Sequence, residues 1–269
     1  MHIFKLSPSM VHKIEPLFEG WEESLIWSCL QGYMGEAWVD SEDNPKSARI
    51  VLADFCYFAG EANQRLVTEE IKMQTREFLI MVPPLDKTGE CWAKEIEKAY
   101  GKNCKRVERY AIKKETGIFD KEKLEKIVNN LNPEYEVRLI DKDIFLQTKK
   151  EAWAIDFTSQ FANYEDYHKR GLGAAVLYQG KLVSGASSYT VYREGIEIEI
   201  GTKKDFRRKG LATVCGAKLI LECLNRGFYP SWDAQNKWSV ALAEKLGYHF
   251  DRVYPAYEVR EICERKGYE

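Results

Sequence analysis

The sequence of 269 residues lacks a long apolar run, and it has only four histidines and almost no excess of charge. No segment approaches the roughly 18 to 20 apolar residues that a membrane-spanning helix requires, so we expect no membrane association. The opening MHIFKLSPSM has no apolar core followed by a small-residue cleavage site, so we expect no signal peptide. The 40 Lys and Arg residues nearly balance 42 Asp and Glu, and the net charge of -2 argues against a dedicated nucleic-acid-binding protein.

The cysteines are scattered and odd in number, and no CxxC pair occurs. This pattern predicts free thiols and therefore a reducing, cytoplasmic location. Because no histidine lies at ligand spacing from a cysteine, we expect no metal site. The seven cysteines are Cys29, Cys56, Cys91, Cys104, Cys215, Cys223 and Cys263.

The apolar periodicity divides the chain into two halves. With 45% hydrophobic residues, the chain can build one large or two ordinary domains with real cores. The first half predicts helices, a strand hairpin, a helix, a strand, a helix and a strand, and the polar segment 114–133 follows it. We predict an N-terminal α/β domain without cofactor at residues 1–130 and a catalytic domain at residues 131–269. The first domain is either a degenerate copy of the second fold or an unrelated α/β domain.

The second half has the clearer pattern. The run LGAAVLYQGKLVSGASSYTVYREGIEIEIGT predicts three antiparallel strands joined by Gln-Gly and Arg-Glu-Gly turns. A helix LATVCGAKLILECLNRG, a strand FYPSWDA, a helix NKWSVALAEKLG and a last strand follow. The predicted fold class is therefore α/β (α+β), with a mixed, largely antiparallel sheet flanked by helices.

The stretch KKDFRRKG lies between the last strand of this meander and the next helix. A helix N-terminus carries unsatisfied N–H groups and a partial positive charge, and Gly210 and Ala212 place almost no side chain over it. The basic side chains beside it complete a site suited to a phosphate or pyrophosphate. A solvated basic loop is the alternative. The stretch fits neither a Walker loop nor a Rossmann fingerprint.

The pattern Arg207-x-x-Gly210-x-Ala212 after a meander resembles the pyrophosphate loop of the GNAT superfamily of N-acetyltransferases. The downstream Asn236, Ser239 and ALAEKLGYHF are similar to a second signature of that family, and the resemblance covers roughly residues 134–262. The phrase WDAQNKWSVALAEKLGYHFDRVYPAY looks more closely like the zwittermicin A resistance type of GNAT acetyltransferase.

This resemblance implies that coenzyme A lies where two neighbouring strands splay apart, with Gly201 hosting the bulge that opens the cleft. It also implies that the cofactor arm pairs with the backbone of residues 199–202, and that Lys203, Lys204 and Arg207 face the outer phosphate or solvent. The implied acetyl-CoA-binding residues are Ile200, Thr202, Arg207, Arg208, Lys209, Gly210, Leu211, Ala212, Thr213, Asn236 and Ser239.

The expected chemistry is attack of an amine on a thioester. A free amine titrates near 10, so a carboxylate must take its proton directly or through water. In GIEIEIGT, period-2 alternation places Glu197 and Glu199 on one face, where they are either the base or ordinary surface acids. A backbone N–H near Ile200 or Gly201 is the expected oxyanion donor.

The acid that protonates the leaving thiolate is less defined. Many family members have a tyrosine where this chain has Ala243, and alanine cannot donate a proton. We predict Tyr248 as the catalytic substitute, with Tyr254 and Tyr257 as alternatives. A further alternative needs no acid, because a thiolate is a tolerable leaving group.

In the GNAT fold, the segment between the first helix of the domain and the meander usually lines the acceptor pocket. The resemblance places this segment in the second half of the chain. Its aromatic and acidic side chains suit a cationic amine, although an exposed connector is equally compatible. These residues are Tyr164, Glu165, Asp166, Tyr167 and His168.

The predicted function is acetyl-CoA-dependent N-acetylation of a small-molecule amine, for which an antibiotic-like compound is one candidate. Two alternatives remain open: a non-catalytic acyl-CoA-binding sensor or scaffold, and an aminoacyl transferase of the tandem-GNAT type. We expect no nucleic-acid partner, and a homodimer stays open beside a monomer.

Overall fold

The computed structural model describes residues 2–68 and 78–260. The chain forms two compact units. Unit 1 comprises Met1–Arg109 and Tyr254–Glu269, and unit 2 comprises Tyr110–Val253. In the described ranges, no helix is both long and apolar enough to cross a membrane.

Unit 1 is built on a sheet whose first strands are separated by tight turns and whose later strands follow helices. Its elements are β1 (Phe4–Lys5), a 3-10 segment (Pro8–Phe18), α1 (Ser24–Leu30), β2 (Glu36–Val39), β3 (Ser47–Leu52), β4 (Phe55–Gly60), α2 (Gln64–Thr68), β5 (Phe78–Val82), α3 (Gly89–Tyr100), a 3-10 turn (Gly101–Asn103) and β6 (Cys104–Ile112).

Unit 2 contains the basic stretch. Its elements are α4 (Lys121–Asn129), β7 (Tyr135–Leu139), α5 (Lys142–Thr148), a 3-10 turn (Ile155–Phe157), α6 (Tyr164–Arg170), β8 (Gly173–Tyr178), β9 (Lys181–Tyr192), β10 (Gly195–Thr202), a 3-10 turn (Lys204–Phe206), α7 (Leu211–Asn225), β11 (Tyr229–Ser231), β12 (Asp233–Ala234) and α8 (Lys237–Leu246). The last strand, β13 (Phe250–Arg260), begins in unit 2 and ends in unit 1.

The strands of unit 1 lie in an eight-stranded sheet with the order β1-β2-β3-β4-β5-β13-β6-β12. Neighbours are antiparallel from β1 to β4, β5 is parallel to β4, and β13 is antiparallel to β5. Strands β3 and β4 are rich in apolar residues and almost wholly buried, which is typical of strands covered on both faces. Helices α2 and α3 contribute to the main core on one of these faces.

The sheet of unit 2 has the order β7-β8-β9-β10-β11, again antiparallel up to the fourth strand and parallel between the fourth and fifth. Its meander forms as the sequence predicts, because the Gln179-Gly180 turn has both residues at positive φ and supports a tight hairpin. Helix α7 packs across β8, β9 and β10. The predicted mixed, largely antiparallel sheet flanked by helices is therefore confirmed.

The two units repeat one topology. Each has a first strand, a helical region, three antiparallel strands, a helix, a fifth strand parallel to the fourth, and a further helix and strand. This repetition supports the interpretation of the N-terminal half as a second copy of the same fold. The compact units nevertheless differ from the predicted ranges 1–130 and 131–269. Helix α4 packs against α7 and so belongs with unit 2, while the end of β13, Tyr257–Arg260, pairs with β5 in unit 1.

Candidate active site

A gap opens between β10 and β11. The two strands pair only through Gly195–Glu197 and Tyr229–Ser231, and β10 then continues to Thr202 without a β11 partner in the described part of the chain. After Ser231, at the end of β11, the chain turns away from β10 and forms β12, which pairs with β6. The resemblance predicted such a splay between neighbouring strands, and the register places its start directly after Glu197.

The backbone of the open part of β10 alternates between its two edges. The Lys203 amide donates to Val183 O of β9, and the Gly201 carbonyl accepts from Ser184 Oγ, also of β9. Since the N–H and C=O of one residue in an antiparallel strand point the same way and alternate along it, the backbone groups of Ile198 and Ile200 face the gap. The gap therefore has a strand edge able to pair with an extended ligand.

Helix α7 begins beside this edge. The amide of Val214 donates to Gly210 O, but within residues 2–68 and 78–260 no backbone acceptor is found for the amides of residues 208–213. These amides lie at the N-terminus of a 15-residue helix, where the helix dipole favours an anion. Backbone N–H groups of this kind are what an anion site requires, and the anion site itself stays a prediction.

Two residues of this loop have left-handed backbone conformations. Gly210 has φ of 80° and Arg208 has φ of 60°. A methyl group on Gly210 would meet no atom within 4 Å, so the space over the turn is open. The glycine is therefore explained by the conformation and by the approach that it leaves to a ligand.

The basic side chains of the stretch are less uniform than the sequence suggests. Lys203 Nζ lies 3.1 Å from Glu151 Oε1, and Arg207 Nε donates to Thr202 O at 3.2 Å. Lys209 Nζ lies 5.0 Å from the Phe206 ring centroid. Lys203 and Lys209 are thus held by protein groups, whereas Lys204 and Arg208 extend on exposed positions.

An aromatic cluster holds the loop. Phe206 contacts the rings of Tyr178 and Tyr135, with centroid distances of 5.5 and 6.4 Å, and Lys209 Nζ lies 3.5 Å from Tyr135 Oη. Sequence reasoning missed this anchor. An aromatic residue amid lysines and arginines was the available signal, because such a residue needs partners.

The faces of β10 differ as alternation predicts. A methyl group on Gly216 of α7 would lie 3.5 Å from Ile200 Cδ1, so Ile200 faces α7. A methyl group on Gly201 would lie 3.4 Å from the Phe157 ring, so the alternate residues face the 3-10 turn Ile155–Phe157. Glu197 and Glu199 share this second face. Glu197 is buried, with Oε1 accepting from the Asp233 amide at 2.7 Å, and Glu199 is partly exposed.

The bulge predicted at Gly201 lies elsewhere. Gly201 pairs in regular register with Gly185, and the register shift between β9 and β10 falls between Glu197 and Ile198, where Tyr189 is the extra residue of β9. The Phe157 ring explains the glycine at position 185, whereas a methyl group at position 201 would meet the ring only at ordinary contact distance. A methyl group on Gly185 would lie 2.6 Å from that ring.

Other predicted cofactor residues form internal contacts. Asn236 is the N-cap of α8, with Oδ1 accepting from the Ser239 amide at 3.0 Å, and Ser239 Oγ accepts from Trp232 Nε1 at 3.0 Å. In residues 2–68 and 78–260, no hydrogen bond from the Asn236 side-chain NH₂ is found. Thr202 Oγ1 lies 2.8 Å from Ser184 Oγ. Leu211 and Thr213 are buried in the first turn of α7, whereas Ala212 is partly exposed.

Tyr248 is buried. Its hydroxyl donates to Pro230 O at 2.6 Å, and burial raises its pKa well above the ordinary value. Ala243 is buried on α8. The Tyr248 hydroxyl proton is engaged by a backbone carbonyl, and its catalytic role stays a prediction, whereas Tyr257 lies in the core of unit 1 with β5.

The segment predicted to line the acceptor site forms α6. Tyr167 is buried with its hydroxyl 2.8 Å from Ser187 Oγ, and Asp166 forms a two-point ion pair with Arg170 at 2.7 and 2.8 Å. The ion pair lowers the pKa of Asp166. Tyr164 packs edge-on against Phe145. Glu165 and His168 are exposed.

The cysteines of α7 are core residues, as predicted. Cys215 and Cys223 are fully buried, and burial raises the pKa of Cys215 to about 12. Cys29, Cys56, Cys91 and Cys104 are also free thiols, and Cys263 lies outside the described residues. In the described part of the chain, no group of three or more His, Cys, Asp or Glu could hold a metal ion.

A family model and several known proteins match most of this chain. A model of the GNAT acetyltransferase family matches residues 15–257. An uncharacterized N-acetyltransferase, YdfB, of Bacillus subtilis (strain 168) is 26% identical over 253 residues, which cover 87% of this chain and 89% of that protein.

Solved structures are similar over nearly the full length. A GCN5-related N-acetyltransferase-like protein from Streptococcus suis 89/1591 is 39% identical, with a TM-score of 0.86, and the match covers 94% of this chain and 99% of that one. A tandem GNAT protein from the clavulanic acid biosynthesis pathway has a TM-score of 0.58 at 11% identity, covering 96% and 98% of the two chains. The second likeness shows the fold alone.

Proposed function

The chain belongs to the GNAT acetyltransferase family, and on that premise we propose that it acetylates a small-molecule amine by direct attack of the amine on acetyl-CoA. The observation that carries the proposal is the gap between β10 and β11. A strand edge with backbone groups facing the gap lies beside a helix N-terminus whose first amides have no backbone acceptor in the described chain.

The residues present fit acetyl-CoA. The amides of residues 208–213 suit its diphosphate, and the left-handed Gly210 leaves room above the turn. Ile198 and Ile200 offer alternating backbone groups to the amide-containing pantetheine arm, and Asn236 offers its side-chain NH₂. Bound there, acetyl-CoA supplies a thioester activated toward an amine.

The strand edge also stabilises charge. When the amine attacks, negative charge develops on the carbonyl oxygen, and a preorganised backbone N–H at that position lowers the barrier. The register favours the amides of Ile198 or Ile200 for this role, whereas the Gly201 N–H points toward β9.

A carboxylate on β10 takes the proton of the amine. Glu197 and Glu199 lie on the face that also carries the Phe157 ring, beside the gap. An amine whose pKa lies near 10 is mostly charged at neutral pH, so removal of its proton is a required step. No acid is assigned to the departing thiolate, since that group leaves without protonation.

Within the family, we assign the chain to the zwittermicin A resistance type because of the phrase WDAQNKWSVALAEKLGYHFDRVYPAY. An antibiotic-like amine is then the first acceptor class to try. The cysteine pattern continues to favour a cytoplasmic protein, and the oligomeric state stays open between monomer and homodimer.

A second candidate function is an acyl-CoA-binding sensor. The observation that favours it is the commitment of the Tyr248 hydroxyl to Pro230 O together with alanine at position 243. An aminoacyl transferase is disfavoured by the net charge of -2, since charged tRNA calls for a basic surface.

The test measures release of free thiol from acetyl-CoA across a panel of primary and secondary amines, beside calorimetric binding of acetyl-CoA. We expect micromolar to millimolar binding and thiol release with at least one amine. Binding without turnover on any amine would favour the sensor, and absence of binding would contradict both functions.

A further inference from the structure

The two carboxylates on β10 have different surroundings although they lie only two residues apart on one face. Glu197 is 5% exposed and lies at the last position where β10 pairs with β11. Glu199 lies on the part of β10 that runs past this pairing, and it is partly exposed. A shared face therefore does not give them one role.

Glu197 bridges the point where the strands part. It is the register partner of Ser231, and its Oε1 accepts from the amide of Asp233, two residues further along. Asp233 begins β12, which turns to pair with Ala111 of β6. The carboxylate thus holds a backbone amide that the diverging strand presents beyond its last β10 partner. At 2.7 Å, the distance lies at the short end of the range for a hydrogen bond from a backbone N–H to an oxygen.

Glu199 has the features that a base requires. A base must be reached by the acceptor nitrogen and must pass its proton on to solvent, and a partly exposed side chain beside the open strand edge meets both conditions. Directly opposite on β9 lies Ser187, whose hydroxyl contacts Tyr167. Glu199 therefore lies next to a buried pair of hydroxyls rather than at the strand junction.

We propose that the two carboxylates divide the work: Glu197 is a positioning residue that fixes the divergence of β10 and β11 through the Asp233 amide, and Glu199 is the general base. This inference rests on the proposed acetyl-transfer function for Glu199, but the role of Glu197 concerns the strands themselves. A residue at position 197 that accepts the same hydrogen bond preserves the separation of β10 and β11. A residue that cannot accept it changes that separation or makes it variable.

The test uses matched variants. Glu199→Gln is expected to lower kcat by about 10²- to 10⁴-fold and to remove the acid limb of the pH profile, with the Kd for acetyl-CoA unchanged. Glu197→Leu is expected to weaken acetyl-CoA binding about tenfold or more. Glu197→Gln, which keeps an acceptor oxygen, is expected to restore that Kd and to retain the acid limb.

Amide hydrogen exchange of the unliganded protein gives a readout that needs no acetyl-CoA. The Asp233 amide is expected to exchange at least about tenfold faster in Glu197→Leu than in the wild type or in Glu199→Leu. Equal exchange in all three would overturn the positioning role. Loss of the acid limb in Glu197→Gln, or wild-type kcat in Glu199→Gln, would overturn the division whatever the stability of the other variants. Failure of the wild type to bind acetyl-CoA would instead refute the proposed function and leave the exchange result to decide on Glu197.

Discussion

The fourth strand of each unit extends beyond its pairing with the fifth strand, but different side chains lie at the resulting gap in the two units. In unit 1, β4 pairs with β5 over Phe55–Tyr57 and continues to Gly60, much as β10 runs past β11 in unit 2. There, Trp92 of α3 stacks on Phe58 at 4.6 Å, and its Nε1 donates to Gly60 O at 3.0 Å. A buried indole thus occupies the end of β4.

Unit 2 has no such side chain at the corresponding helix. The tryptophan near the start of α8, Trp238, is 87% exposed, whereas Trp92 is fully buried. The residue after the fourth strand also changes, from Glu61 in unit 1 to Lys203 in unit 2. The comparison teaches that strand divergence alone does not make a coenzyme site. The same topology carries a packed side chain in unit 1 and the proposed coenzyme site in unit 2, depending on which side chains line it.

The largest expected effect is on stability, and it comes from removing the Trp92 ring that packs at the end of β4 in unit 1. Trp92→Ala removes a fully buried ring and its hydrogen bond to Gly60 O, so we expect the free energy of unfolding to fall by about 3 to 5 kcal/mol. Urea unfolding measures this change. The matched control is Trp238→Ala, for which we expect a change within about 0.5 kcal/mol. Similar losses in both variants would contradict the contrast between the two helices.

The next largest effect is on acetyl-CoA binding, and it comes from blocking the space above Gly210 in unit 2. Gly210→Glu places a carboxylate where the diphosphate is proposed to lie, and like charges about 4 Å apart repel by several kcal/mol near a protein surface. We expect the Kd for acetyl-CoA to rise at least about 100-fold, or about 2.7 kcal/mol, as measured by calorimetry. The helix should persist, because an acidic residue at a helix N-terminus is favourable.

Gly117→Glu is the control for this change. Gly117 has φ of 74° and no atom within 4 Å of an added methyl group, so it imposes the same backbone strain in the same unit without meeting the loop that begins α7. We expect its Kd to match the wild type. If Gly210→Glu binds acetyl-CoA normally, the diphosphate does not lie at this turn.

Local patterns explain which parts of the fold could be predicted. The meander of unit 2 was predictable because its turns have glycine signals and its strands alternate. The place of β13 was not, because Tyr257 pairs with Met81 across the length of the chain, and no short window of sequence contains that information. The bounds of the compact units are also absent from a local pattern, since α4 groups with unit 2 through its packing on α7.

In the candidate site, too, local features were predictable and features that depend on strand pairing were not. The loop before α7 was predictable because Gly210 and its basic neighbours are adjacent in sequence. The bond from the Asp233 amide to Glu197 depends on the register of three strands, and alternation alone treats Glu197 and Glu199 as equivalent. The Phe157 ring that occupies the space beside Gly185 and Gly201 is similarly invisible to a local pattern.

The smallest expected effect concerns the residue that follows the fourth strand. In unit 2, the hydrogen bond from Lys203 lowers the pKa of Glu151. A carboxyl whose folded pKa is lowered contributes stability above its ordinary value of about 4.3 and loses it as the pH falls through the folded pKa. Both side chains are 37% exposed, so solvent screening limits this contribution to less than about 1 kcal/mol.

Lys203→Met is therefore expected to return the pKa of Glu151 toward the ordinary range, with a loss of stability that is measurable near neutral pH and disappears in acid. A carboxyl-detected NMR titration checks the pKa, and Lys204→Met is the control, because Lys204 is exposed and takes no part in the Glu151 contacts. An unchanged Glu151 titration in Lys203→Met would show that the loop before α7 is not tied to the α5 side of the unit. The change from Glu61 in unit 1 to Lys203 in unit 2 would then matter only for the charge presented to a ligand, and not for the packing of the loop.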